Sequence, residues 1–136
     1  MTAHLNKNTQ LLKISLALLA VISLGYGIIY LLVPQVEVNA SGAEPIPLGW
    51  IRWFGGILIP IGIAAIMVFR NPEKQGIFVT MLTYGNLLVG LALLYSVIFE
   101  PEGIGNILNT VIPAVIHLLL FALFWISMKQ AKAILW

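Results

Sequence analysis

Four apolar stretches, residues 14–33, 48–69, 76–99 and 106–128, dominate this chain of 136 residues. Each is long enough to cross a hydrocarbon layer of ~30 Å at about 1.5 Å per helical residue. Inside such a layer every backbone N–H and C=O must be satisfied by the protein itself, and a helix does this within one segment. The expected fold is therefore all-α and membrane-integral. Because the connections are short, successive spans should run antiparallel, giving a bundle of four transmembrane helices.

Charge adds an orientation. Lys7 and Lys13 precede the first stretch, Arg70 and Lys74 join the second to the third, and Lys129 and Lys132 follow the fourth. Glu37 and Glu44 lie in the first connection, Glu100 and Glu102 in the third. Short cytoplasmic segments are enriched in Lys and Arg, so this alternation predicts that both termini are cytoplasmic. Glu73, beside Arg70 and Lys74, is harmless in a cytoplasmic turn. Arg52 is the exception, a basic residue on the acidic side.

The chain is 60% hydrophobic and only 9% charged, against about 25% charged in soluble domains. With about 90 residues in spans, too few remain for a second domain, and 1–136 reads as one membrane domain. No basic stripe interleaved with aromatics is present, so nucleic acid is not an expected partner. The absence of Cys removes disulfides, thiolate metal sites and Cys nucleophiles. Lys7 and Lys13 before the first stretch and Val38-Asn39-Ala40 after it have the flavour of a signal peptide. The apolar run is longer than a signal h-region, however, so it is read as a retained span. Asn39-Ala40-Ser41 matches the glycosylation triplet and is read as a chance occurrence.

The second stretch opens with Trp50-Ile51-Arg52-Trp53-Phe54, a cluster suited to the membrane interface. Arg52 has two roles open to it: an ion pair with an outer glutamate, or a clamp for a phosphate or carboxylate headgroup flanked by Trp50 and Trp53. Gly56, Pro60 and Ala64 follow at four-residue spacing, a face of small side chains that a neighbouring helix can approach closely. Pro60 also removes a helical hydrogen bond and should kink the span. The turn at 70–75 should hold the second and third helices together as a hairpin, and Thr83, Asn86 and Gly90 share the face of the third that should look into the bundle.

Counting from the span ends places Asn86 and His117 near the midplane, level with Ser23 and Pro60. An ionisable group at that depth is a functional candidate. His117 could ligate a porphyrin-type pigment, carry a proton or bond a lipid-like ligand, with Asn86 orienting it. It could equally donate to Asn86, Ser23 or a carbonyl freed by a proline and so hold the bundle together. A metal site is not expected: the second histidine, His4, lies in the N-terminal tail and no buried carboxylate completes a set. No cofactor is required by the sequence.

The stretch Gly25-Tyr26-Gly27-Ile28-Ile29-Tyr30-Leu31-Leu32-Val33-Pro34, followed by Ile51-Arg52-Trp53-Phe54-Gly55-Gly56, resembles the small DoxX-like and related four-span bacterial proteins. The resemblance implies a compact antiparallel four-helix bundle, a bacterial inner-membrane setting and no established catalytic set. It carries over the Arg52–Gly56 helix start and the Pro34 boundary. Other four-span classes lack their required residues here. Small multidrug exporters need a glutamate within the first span, quinone-linked disulfide enzymes need cysteines, and emopamil-binding-type isomerases need intramembrane carboxylates. Dual-topology fluoride channels show little Lys/Arg bias, unlike this chain. The expected role is thus non-enzymatic, a small accessory or scaffold subunit whose partners are membrane lipids and other membrane subunits or further copies of itself. The alternative is a carrier of lipid, quinone or pigment, or a membrane enzyme, acting at the Asn86–His117 layer.

Overall fold

Runs of Leu, Ile, Val and Phe with few charges fold as helices, and the computed structural model contains no strand among its described residues, 2–42, 47–100 and 105–136, with side chains from residue 9 onward. The side chains of His4, Lys7, Glu44 and Glu102 lie outside the described residues. In chain order the helices are α1 (Thr2–Leu32), α2 (Pro34–Ser41), α3 (Leu48–Arg70), α4 (Gly76–Phe99), α5 (Leu108–Gln130) and α6 (Lys132–Leu135). Residues 9–32 of α1 and the whole of α3, α4 and α5, each 23 or 24 residues, are long and apolar enough to span a membrane. This is the architecture of a multi-pass membrane protein, an all-α four-helix bundle.

Two segments outside the spans are ordered. The first connection contains three prolines, yet Pro34 starts α2 at a position where its missing N–H costs nothing. Gly42 then stops it in a left-handed conformation, φ 62°. The C-terminal tail, which begins with Lys129 and Lys132, does not trail away from the helices. Instead α6 folds under the bundle, and Ala131 and Leu135 join the apolar core. The Lys74 N–H donates to the Ile134 carbonyl at 3.0 Å, and the Trp136 ring lies over Gly76, where a Cβ would collide with it.

Helix pairing follows the close approaches that glycine permits. α1 lies along α3, α4 along α5, and α1 against α5 joins the two pairs. A Cβ on Gly55 would fall 2.8 Å from the Gly27 carbonyl oxygen and 2.8 Å from the Leu31 nitrogen, so the α1 and α3 backbones touch. Lipid tails are as apolar as Leu, so the gain here is dispersion across a short distance rather than hydrophobic transfer. The expected α3–α4 hairpin is not a packed pair. Gly55 and Gly62 of α3 are committed to α1, and Gly90 of α4 to Leu118 and Ala114 of α5. What links α3 to α4 is the core at the end that carries the termini. There Ala65, Val68, Val79 and Leu82 share a cluster with Leu12, Leu16, Leu120 and Phe124. At that same end Lys13 sits 5.6 Å from the Phe69 ring centre and Lys129 4.8 Å from that of Trp125.

Candidate functional site

The α4–α5 seam brings Asn86 and His117 together. Asn86 is buried, and its Nδ2 donates to the Leu82 carbonyl of its own helix at 2.8 Å. Its Oδ1 therefore faces His117, whose Nδ1 lies 2.8 Å away. An amide oxygen only accepts, so His117 donates from Nδ1, and in the neutral imidazole Nε2 is left as an acceptor. Nε2 has no partner among the described residues. Ser23 is buried in α1 and makes no bond to the pair, while Thr83 donates to the Val79 carbonyl at 2.7 Å within α4. The midplane layer thus reduces to one oriented imidazole whose second nitrogen is unused.

Trp50, Arg52 and Trp53 do not assemble into a cage. The indoles are 65% and 62% exposed and pack edge to face at 6.0 Å, while Arg52 is exposed. It contacts neither ring and forms no ion pair among the described residues. The described carboxylates at the same end form no ion pair either: Glu100 accepts from the Ser96 hydroxyl at 3.1 Å, and Glu37 has no hydrogen-bond partner among the described residues.

The small residues of α3 divide between two faces one position apart. Gly55 and Gly62 make the internal seam. Gly49 and Gly56 have nothing within 4 Å of where a Cβ would stand, Pro60 is exposed and Ala64 half-buried. The Gly56–Pro60–Ala64 face therefore points away from the bundle, whereas Gly90 is buried within it.

A polar pocket at the α2 end was not anticipated. Tyr26 and Tyr30 of α1, Glu37 and Ala40 of α2, and Leu108, Asn109, Ile112 and Pro113 of α5 line a half-open pocket of about 230 Å³. Two bonds fix α2 against the start of α5: Asn109 Nδ2 donates to the Ala40 carbonyl and the Asn106 N–H to the Ser41 carbonyl, each at 2.6 Å. Burial raises the Glu37 carboxyl above its ordinary value of 4.5. The signal in the sequence was the Tyr26–Tyr30 pair, one turn apart, followed by a proline-started helix bearing Glu37. Glu37 also fits the alternation of charge along the chain, and that pattern by itself does not announce a pocket. Asn109 lies 69 residues from Ala40, a contact that spacing alone does not announce.

Comparison of the chain with protein-family models, with curated proteins and with solved structures gave no match.

Proposed function

We propose that the protein is a non-enzymatic accessory or scaffold subunit of a bacterial inner-membrane assembly, docking a partner helix on the outward face of α3. The observation that carries this is the division of small residues on that helix. Gly55 and Gly62 are consumed by α1, yet a second run, Gly49, Gly56, Pro60 and Ala64, lies outside the bundle with open space over its glycines. Small residues permit the backbone approach on which helix association in lipid depends. Pro60 adds a reason for a partner, because it has no N–H to give the Gly56 carbonyl. A carbonyl without a donor is costly in hydrocarbon, and a polar side chain from a docked helix would relieve it. The Arg52–Gly56 start of the same helix is what supports kinship with the small DoxX-like proteins.

The absence of cysteine makes the test clean. Single Gly56→Cys and Ala64→Cys variants, labelled at the thiol with a photoreactive benzophenone and irradiated in native membranes, should crosslink to one other chain, which mass spectrometry identifies as a different subunit or a second copy. Gly56→Leu should release that chain while the purified protein keeps its fold. Retention of the same complex by Gly56→Leu and Ala64→Leu would defeat the proposal.

A second role has one observation in its favour, the unused Nε2 of His117 beside a buried orienting amide. It would accept a hydrogen bond from a lipid- or quinone-like hydroxyl. Replacing His117 by Leu should then abolish retention of that molecule in mild detergent.

A further inference from the structure

The pocket at the α2 end carries an inference independent of the docking role. Each of its polar side chains offers an oxygen that can accept a hydrogen bond. Glu37 contributes a carboxylate with no hydrogen-bond or ion-pair partner among the described residues, and no Lys or Arg lines the cavity. Asn109 uses its Nδ2 on the Ala40 carbonyl, which leaves Oδ1 as a further acceptor. Pro113 has no N–H, so the Asn109 backbone carbonyl lacks its usual helical donor as well. The remaining polar atoms are the hydroxyls of Tyr26 and Tyr30, whose rings meet edge to face at 5.5 Å. A lone carboxylate, free carbonyl oxygens and aromatic rings share one complement, a small cation that donates several hydrogen bonds and tolerates π faces.

We propose that this pocket binds a primary alkylammonium group, supplied by the aminoethyl headgroup of a lipid or by a free small amine. Glu37 neutralises the charge, Asn109 Oδ1 and a tyrosine hydroxyl accept the remaining N–H bonds, and the Tyr26–Tyr30 pair provides the aromatic wall. Size is compatible with the same class. A volume of about 230 Å³ lies below the roughly 300–1,000 Å³ of drug-sized ligand sites and has room for a headgroup amine. Location agrees too. The pocket lies where α1 gives way to α2, at the end opposite the termini. The alternation of charge assigns that end to the outer headgroup layer.

Native mass spectrometry of the full chain in maltoside micelles tests the assignment, with phosphatidylethanolamine, its N-acetylated form and phosphatidylglycerol as probes. Phosphatidylethanolamine should be retained at least tenfold better than the other two, and Glu37→Gln should remove that preference without lowering the temperature of thermal unfolding. Tyr30→Phe should weaken retention less than Glu37→Gln does. Equal retention of the N-acetylated lipid by the wild type, or an undiminished preference in Glu37→Gln, overturns the proposal. The first comparison needs no variant, so a folding defect in Glu37→Gln leaves it decisive. Free ethanolamine distinguishes the sources, and either result supports the ammonium assignment. Displacement at millimolar concentration points to a small amine, whereas persistence of the bound lipid points to the headgroup.

Discussion

Adding one methyl group at Gly55 or at its neighbour Gly56 should have opposite consequences. Both glycines lie inside α3, so both alanine variants gain the same intrinsic helix propensity, about 1 kcal/mol by aqueous scales. This term cancels in the difference between them. A Cβ on Gly55 would stand 2.8 Å from the Gly27 oxygen, 2.8 Å from the Leu31 nitrogen and 2.9 Å from the Tyr30 Cβ. Ordinary carbon–oxygen and carbon–carbon contacts start at about 3.3–3.5 Å. Two of the three obstructing atoms are backbone, so a rotamer change cannot clear them and α1 must move away from α3 by about 0.5–1 Å. A gap of that size forfeits about a quarter to a half of the attraction of each atom pair it opens, and overpacking of this kind costs about 1–3 kcal/mol. Gly56 meets nothing within 4 Å. Gly55→Ala should therefore be less stable than Gly56→Ala by about 1–3 kcal/mol. Gly27→Ala should fall between them, because its nearest obstruction is the Ile59 side chain at 2.8 Å. Unfolding the purified chain with increasing SDS in mixed micelles, followed by tryptophan emission, measures the order. If Gly56→Ala proves as damaging as Gly55→Ala, the assigned rotation of α3 against α1 is wrong.

Further outcomes concern the polar groups. A double-mutant cycle with Asn86→Leu and His117→Leu should give a coupling of about 0.6–1.7 kcal/mol, the range found for hydrogen bonds between membrane helices. Additive single effects in the same SDS titration would remove the bond from the α4–α5 seam. Glu37 should give the ammonium pocket a pH dependence. Its raised value means that the fold favours the neutral carboxyl, so any stability it contributes is present at low pH and lost as pH rises through that value. Binding has the opposite sign, since it requires the anion. Retention of phosphatidylethanolamine should fade as pH falls through the same window above 4.5, and Glu37→Gln should flatten the profile. Among the described residues, Tyr26 and Tyr30 are the other titratable groups facing the pocket, and α5 offers none. Truncating α6 after Gln130 removes Leu135 from the core and Trp136 from Gly76, so the truncated chain should unfold at lower SDS than the intact one.

Span number, length and approximate limits were legible because they depend on one quantity, the length of uninterrupted apolar sequence, against a fixed layer thickness. Partner choice among the helices was not. Helices that are apolar on every side carry no stripe to say which side faces inward. The short 71–75 connection suggested an α3–α4 pair, but a turn only brings two helix ends near each other. Gly55, Gly62 and Gly90 decide which flanks touch, and they point to α1 and α5. The Asn86–His117 contact was among the alternatives because both residues counted to one depth. Its geometry, with Asn86 anchored to Leu82 and Nε2 of His117 left over, depends on a helix rotation that counting cannot supply.

The same rotation explains why two adjacent glycines have different meanings. Successive helical positions differ by about 100°, so Gly55 and Gly56 belong to different surfaces although they are neighbours in sequence. The four-residue run Gly56, Pro60, Ala64 has the better periodicity, and the internal seam runs instead through Gly55 and Gly62, spaced by seven. A seven-residue spacing keeps nearly the same azimuth over two turns, which suits a seam followed along most of α1. A small residue on the seam is required by the bundle itself, since a side chain there meets backbone. On the other face the bundle places no demand for smallness, and Leu or Ile would serve equally well against lipid. On the docking proposal, the small side chains at Gly49 and Gly56, which have open space over them, answer to a constraint from outside this chain. A docked helix supplies one, and the leucine substitutions at Gly56 and Ala64 separate that constraint from the needs of the fold.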